Sequence, residues 1–170
     1  MQLSPLQLER YHFNLGYVRA RADHEASHDG DTESVIGVEM SEQLSWSDVE
    51  SQDGKSYAPL KLYIALENKG EKKAPYDIAV EVEGVFQISP AFMKKEGWEE
   101  VFIINGASML YTVIREYVLS FTSRAVSGPL MLPTMNFLDY VKKIPEAKEK
   151  AKALQEAEAK DAIAGGDIAP

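Results

Sequence analysis

Residues 105–140 constrain the fold most, because an apolar helical pattern stops there at a Gly-Pro pair. The pattern places apolar side chains on one helix face at three- and four-residue spacing. These are Leu110, Val113, Ile114, Tyr117, Val118 and Phe121. Asn105 is predicted to be the N-cap, since its side chain can accept a bond from a free amide of the first turn. The periodicity stops near Val126, and Gly128-Pro129 ends the helix because proline lacks an amide and clashes with the preceding turn.

The connector that follows, residues 130–135, is unusually apolar for a loop, so it must lie against another part of the protein. A second, short helix is predicted from Asn136, with Phe137, Val141 and Ile144 turned inward. The pattern alone allows two interpretations of the connector. Either it is packed in the core, or it lines a groove that receives an extended peptide.

Alternating apolar and polar residues predict four strands before the helix. They span residues 8–20, 36–46, 57–67 and 76–88. In the first strand, Tyr11, Phe13, Leu15 and Tyr17 are predicted to share the inward face. Gly84 predicts a bulge in the fourth strand. Strands followed by helices are typical of an α+β domain, here a four-stranded antiparallel sheet, then a long helix, an apolar connector and a short C-terminal helix.

The chain of 170 residues is long enough for one domain with a real core, which we place at residues 1–145. Residues 146–170 form a tail rich in alanine, glutamate and lysine, either a solvated helix or a partly ordered segment. A formal net charge of −9 argues against nucleic acid as a partner, and the lack of cysteine excludes a disulfide framework. Without a signal-peptide pattern or a membrane-spanning apolar run, we expect a cytoplasmic protein that is not inserted in a membrane.

His24-Glu25-Ala26-Ser27-His28 matches the HExxH pattern, in which two histidines on one helix face bind zinc and the glutamate is the general base. A working site needs a third protein ligand and a closed, apolar setting. Here the motif lies between aspartates in a predicted solvated crossover loop. The preferred interpretation is therefore a surface loop, for which no metal or other cofactor is predicted. A zinc hydrolase is the alternative.

The segment from Asp23 to Asp53 has ten acidic residues and no lysine or arginine. Two interpretations of this charge remain open. It can form a docking surface for a basic partner, which would make the chain an adaptor domain. It can also keep a sheet face solvated and discourage edge pairing.

The last third of the chain carries a set of motifs in a fixed order, namely Leu110-Tyr111, Arg115-Glu116, Arg124, Leu130, Leu132 and Asn136-Phe137. Aligned without a gap, these motifs resemble those of the SecB family of protein-export chaperones and their relatives. The chain departs from the family at Thr112, where proline is usual. The resemblance implies a molecular chaperone that is not an enzyme and that holds unfolded polypeptides without ATP.

The resemblance also implies where such a client polypeptide binds and how copies assemble. The client groove lies between the second strand and the connector, at Ile36, Val38, Met40, Tyr111, Leu130, Leu132 and Phe137. The polar side of the long helix, at Arg115, Glu116 and Arg124, packs between the two dimers of a homotetramer. Burial of apolar client surface supplies about 25 cal/mol per Å² in such a groove, and a sheet edge adds backbone hydrogen bonds.

The family delivers precursors to the SecA motor of the Sec translocase, and docking to SecA through the acidic sheet face is implied here. The two acidic docking positions of the family's first strand correspond to Asn14 and Val18, neither of which is acidic. This leaves open membership of a diverged branch that serves a dedicated client such as an antitoxin.

Overall fold

The computed structural model describes residues 3–24, 35 and 38–142. In chain order the described elements are β1 Leu6–Ala20, β2 Glu39–Trp46, β3 Glu50–Gln52, β4 Lys55–Glu67, β5 Tyr76–Ile88, α1 Pro90–Met93 and α2 Trp98–Thr122. Residues 138–142 are also helical, as predicted for the segment after Asn136. The chain divides into two compact units, Met1–Met135 and Asn136–Pro170. The predicted domain boundary at residue 145 lies outside the described residues and stays a prediction.

The strands form one antiparallel sheet in the order β1-β5-β4-β2, and β3 pairs with the beginning of β4. The four predicted strands are therefore present, and β3 is an addition that the sequence did not indicate. Asp53 and Gly54 connect β3 to β4 with φ angles of 52° and 74°. Two successive positive φ angles are what a tight two-residue hairpin requires, and they account for the turn signal at Asp53-Gly54.

The core lies between one face of β4 and β5 and the apolar side of α2. Every second residue of both strands is buried on that face, including Leu60, Leu62 and Val80. Gly106 of α2 faces the sheet, and a methyl group at that position would be in ordinary van der Waals contact, 3.4 Å from the Phe86 ring. Each buried aliphatic side chain stabilises the fold by about 1.5–3 kcal/mol, so the packing of these two strands against α2 stabilises the centre of the sheet.

The start of α2 at Trp98 corrects the prediction that Asn105 caps the helix. Gly97 occupies the N-cap with a φ of 73°, and Glu99 and Glu100 in the first turn interact favourably with the helix dipole. The added turns bury Phe102, while Asn105 is exposed in mid-helix. The helix also ends at residue 122, four residues before the predicted end.

The bulges lie in β1, which corrects the predicted bulge at Gly84. β5 alternates regularly through Gly84, where a methyl group would come within 2.7 Å of the Leu110 side chain. In β1 the register shifts once after Leu8 and again after Phe13. The second shift places Phe13 opposite buried Val82 but Leu15 opposite half-buried Glu81.

Because of the second register shift, the prediction that four apolar residues of β1 share the inward face is wrong. Tyr11 and Phe13 lie on the core side of the sheet, and Leu15 and Tyr17 lie on the opposite side. All four side chains are between 38% and 50% exposed. β1, one of the two edge strands of the sheet, therefore presents apolar side chains on both of its faces.

Candidate peptide-binding site

The connector runs back along α2 and is fixed to it by three hydrogen bonds. The amide of Leu130 donates to Thr122 Oγ1 at 2.9 Å. Arg115 Nε donates to the carbonyl of Leu132 at 3.0 Å, and the Tyr111 hydroxyl donates to the carbonyl of Pro133 at 2.5 Å. Each step forward along the connector meets an earlier residue of α2, so the two segments are antiparallel.

The predicted groove residues of the connector and α2 are covered in the single chain. Tyr111, Leu130 and Leu132 have exposed fractions of 4%, 1% and 0%. Burial raises the pKa of Tyr111 to about 12, although the nearby Arg115 guanidinium acts in the opposite direction. These side chains therefore hold the connector against α2. Met131 of the connector is exposed instead, with an exposed fraction of 44%. The prediction that the three covered residues line an open groove is revised accordingly.

Helix geometry shows on which flank of α2 the connector lies. Tyr111, Arg115 and Thr122 share one flank, and Tyr117 lies about 200° around the helix from Arg115. The Tyr117 ring is 4.8 Å from that of Phe13, so its flank faces β1. The connector consequently lies on the side of α2 that is directed away from β1, over the part of the sheet that ends in β2.

β2 is an edge strand with a row of partly covered apolar side chains. Met40, Leu44 and Trp46 are half-buried on the core side of the sheet, opposite buried leucines of β4. We call these three residues the β2 strip. Glu42 lies among them on the same side, and the other face of β2 carries Ser41, Gln43 and Ser45. The strip is thus a row of half-buried apolar side chains along an edge to which no described strand bonds.

The four remaining predicted groove residues differ in where they lie. Met40 belongs to the β2 strip, and Val38, just before β2, is only 8% exposed. Ile36 lies outside the described residues. Phe137 belongs to the second compact unit, where it is buried and its ring lies 6.1 Å from that of Tyr140. Sequence reasoning missed Leu44 and Trp46, although their alternation with Met40 was visible.

The predicted oligomer-interface residues lie on α2 and just after it. Arg115 is half-buried and bonds within its own chain, and Glu116 is exposed and accepts a bond from Ser120 Oγ at 3.1 Å. Arg124 is exposed. The single chain leaves their role in assembly a prediction.

A cluster of partly exposed aromatic rings lies between β1 and α2, and sequence reasoning did not identify it. We call Tyr11, Phe13, Tyr117 and Phe121 the β1 aromatic patch. Successive rings along it are 4.8–6.2 Å apart. Phe121 was predicted to face the core but is 52% exposed. It follows Tyr117 by one helical turn, which is the signal that could have placed both rings beside β1.

The face of the sheet opposite α2 carries the acidic residues Glu81 and Glu83. Lys61 Nζ lies 3.7 Å and 3.5 Å from their carboxylates, and Asn14 Nδ2 donates to both at 2.9 Å and 3.4 Å. Val18 lies opposite Ile78 on the core side of β1, so the two positions matched to the family's acidic contacts are on different faces. The charge of this face is partly offset by Lys61.

The described part of the chain does not test the zinc interpretation. Residues 3–24, 35 and 38–142 contain no group of three histidine, cysteine, aspartate or glutamate side chains that could hold a metal ion. Glu25 and His28 of the HExxH pattern lie outside these residues. Among the described helices, none is long and apolar enough to cross a bilayer.

No protein-family model matches the chain, and sequence comparison finds a similar protein of uncharacterised function. The chain is 33% identical over 96 residues to an uncharacterised protein of Methanocaldococcus jannaschii. The match covers 56% of this chain and 60% of that protein. The chain thus spans less than two thirds of the length of the curated relative it matches.

Two solved structures illustrate the structural similarity of the chain to known proteins. One is a Streptococcus agalactiae protein of unknown function, with a TM-score of 0.49, 13% identity, and coverage of 76% of this chain and 97% of that chain. The other is a SecB-like chaperone of Mycobacterium tuberculosis in complex with an antitoxin peptide, with a TM-score of 0.41, 16% identity, and coverage of 76% and 90%. A SecB-like chaperone is thus among the structural neighbours, and the observed α+β architecture is the predicted one.

Proposed function

We propose that the protein is a chaperone that holds unfolded or precursor polypeptides without ATP, and that the β2 strip receives them. One observation carries the proposal: half-buried Met40, Leu44 and Trp46 line an edge strand that no described strand covers on its outer side. The resemblance of α2 and the connector to the SecB family supports the same function.

The chemistry of the strip suits a broad range of clients. Apolar side chains of an unfolded chain leave water on contact, at about 25 cal/mol per Å² buried, and this interaction does not depend on a particular sequence. The flexible thioether of Met40 adapts to differently shaped partners. Neither step requires a nucleotide, a metal or a covalent reaction. The protein is accordingly proposed to act as a binding protein and not as an enzyme.

The proposal is tested by diluting chemically denatured proteins into buffer and following their aggregation by light scattering. We expect stoichiometric amounts of the protein to suppress aggregation of several unrelated clients in the absence of nucleotide. Failure with all of them would contradict the proposal and favour the adaptor interpretation of the acidic segment.

Two neighbouring substitutions in β2 test whether the strip is the binding surface. Leu44→Asp places a charge in the strip and should weaken suppression about tenfold or more, because a charge loses its hydration on contact with an apolar client. Gln43→Asp adds the same charge to the exposed opposite face of the strand and should leave suppression unchanged. Equal activity of the two folded variants would show that the client binds elsewhere.

We further propose a homotetramer, a dimer of dimers, in which a second copy covers the β1 aromatic patch. The patch and the apolar groups on both faces of β1 form a larger exposed apolar surface than scattered single residues would. Light scattering at micromolar concentration should give the mass of a tetramer, and Phe121→Glu should reduce it. A monomeric unsubstituted protein would contradict this assembly.

We also propose that the protein delivers precursors to SecA in the cytoplasm, and that SecA docks on Glu81 and Glu83 of the open sheet face. The alternative form is protection of a dedicated client such as an antitoxin. Binding of purified SecA, lost in a Glu81→Lys variant, would support export. Intact suppression of aggregation without SecA binding would support the dedicated client.

A further inference from the structure

We propose that the face of the sheet opposite α2 holds a second binding site, which takes a short free peptide by its two charged ends. The site is a cleft of about 660 Å³ between β1 and β3, and we call it the β3 cleft. Clefts of this volume commonly hold small ligands. Its lining includes Glu9, Arg10, Glu50, Tyr57, Pro59 and Val85. The β2 strip lies on the other side of the sheet, so this site goes beyond the proposed client surface.

The first register shift of β1 forms one wall of the β3 cleft. Leu8 lies opposite Phe86 on the core side, and Arg10 lies opposite Val85 on the other side. Glu9 between them has no opposite residue and is the extra residue of a bulge, which changes the direction of side chains on its strand. Neighbours in a regular strand point to opposite faces, whereas Glu9 and Arg10 both line the cleft.

The floor of the β3 cleft is apolar and begins next to Arg10. Val85 and Pro59 are opposite residues of β5 and β4, and both are half-buried. The C-terminal residue of a peptide carries a carboxylate and a side chain on the same Cα atom. When that residue is apolar, its carboxylate can bind the Arg10 guanidinium while its side chain covers Val85 and Pro59.

Glu50 and Tyr57 form the opposite end of the β3 cleft. They are opposite residues of β3 and β4. A carboxylate beside an aromatic ring attracts an ammonium group, both by its charge and through the face of the ring. Among the described residues, none forms an ion pair with Glu50 or with Arg10. Both charges are therefore open to a ligand that carries the two opposite charges.

The order of the strands sets the length of that ligand. β5 and β4 lie between β1 and β3, and neighbouring strands are about 4.8 Å apart, so about 14 Å separates the backbones of Arg10 and Glu50 across the strands. Both side chains line the cleft and shorten this gap. Three or four extended residues, at about 3.3 Å each, match it. A segment inside a long chain has neither charged end, so the β3 cleft favours free short peptides.

Calorimetric titration with peptides of alanine that end in leucine tests the site from the ligand side. We expect saturable binding of the tetrapeptide, and binding weaker by about tenfold or more when its amino group is acetylated or its carboxylate is amidated. A hexapeptide of the same design should bind several-fold more weakly, because its two ends cannot reach both charges in an extended form. Absence of tetrapeptide binding, or equal binding of the hexapeptide, would overturn the proposal.

Two substitutions assign each end of the peptide to its partner. Arg10→Met should bind the amidated and the free tetrapeptide equally, and Glu50→Gln should bind the acetylated and the free tetrapeptide equally. Glu71→Gln makes the same change as Glu50→Gln at an exposed position of the turn between β4 and β5, so it should keep both preferences. All three positions are exposed, so the variants should fold. An undiminished preference for the free carboxylate in Arg10→Met would contradict the assignment.

Suppression of client aggregation shows whether the β3 cleft is separate from the client surface. Arg10→Met should suppress aggregation as well as the unsubstituted protein does, because the β2 strip lies on the other side of the sheet. Loss of suppression in this variant would place the cleft within the client surface and overturn the proposal of a separate site. Tetrapeptide binding by a protein that suppresses no aggregation would support the site and contradict only the chaperone function.

Discussion

The substitution Tyr111→Phe tests whether the connector is fixed against α2 as described. The Tyr111 hydroxyl donates to Pro133 and its pKa is raised to about 12 by burial. Loss of the hydrogen bond should reduce the free energy of unfolding at neutral pH by about 1 kcal/mol. The same hydroxyl makes the unsubstituted protein sensitive to alkali, which the variant should not share.

The sign of the alkaline effect follows from the raised pKa. In the unfolded chain the tyrosine loses its proton near pH 10, whereas the folded protein resists this up to about pH 12. The stabilising contribution is therefore fully present below pH 10 and is lost as the pH rises towards 12. A difference of about two pKa units corresponds to about 2–3 kcal/mol. The variant should thus be less stable at about pH 8 and more stable near pH 12.

Urea unfolding followed by tryptophan fluorescence at a series of pH values measures this crossover. Thr122→Val is the matched control, since it removes the acceptor of the Leu130 amide without removing a titrating group. It should cost about 1–3 kcal/mol and keep the alkaline loss of the unsubstituted protein. Parallel pH dependence of Tyr111→Phe and the unsubstituted protein would refute burial of the hydroxyl.

Three further substitutions test the packing and the sheet edge. Gly84→Ala should lower the free energy of unfolding in urea by about 1–3 kcal/mol, because the new methyl group would lie 2.7 Å from the buried Leu110 side chain. An unchanged urea midpoint would contradict this packing. Gly106→Ala places a methyl group 3.4 Å from the Phe86 ring, so the free energy of unfolding should be unchanged or rise by up to about 1 kcal/mol through helix propensity. A large decrease in that free energy would show that α2 packs more closely against the sheet. Asp77→Asn should reduce the free energy of unfolding at neutral pH. It should also make that free energy fall less steeply as the pH is lowered into the acid range. The Arg19 guanidinium lowers the pKa of Asp77, so its contribution is lost as the pH falls through the folded-state value; an unaltered acid limb would contradict the pairing.

The sheet was predictable where a strand is buried on one face along its whole length. Residues 57–67 and 76–88 keep period two throughout, because α2 covers every second side chain. The bulges of β1 were not predicted, since the register shifts lie at Glu9 and Asn14, where no glycine or proline marks them. The start of α2 was missed because Gly97 caps it through a backbone conformation and not through a side chain.

The candidate site was predictable only in outline. The apolar composition of residues 130–135 showed that the connector must be covered, but composition is the same for a buried segment and for a groove wall. Its three hydrogen bonds to α2 decide in favour of burial for Leu130 and Leu132. The backbone N–H groups of Met40 and Leu44 point away from β4. This follows from the β2–β4 register and from the hydrogen bond of the Ser47 amide to β4, and no local sequence pattern encodes that register.

The central claim is that an unfolded chain binds along the β2 strip. Amide hydrogen exchange resolved by residue, with and without a denatured client, tests it most directly. We predict slower exchange at Met40, Leu44 and Trp46 when the client is bound, with little change at Ser41 and Gln43, which already bond to β4. Client-induced protection confined to β1, with no change in β2, would contradict the claim.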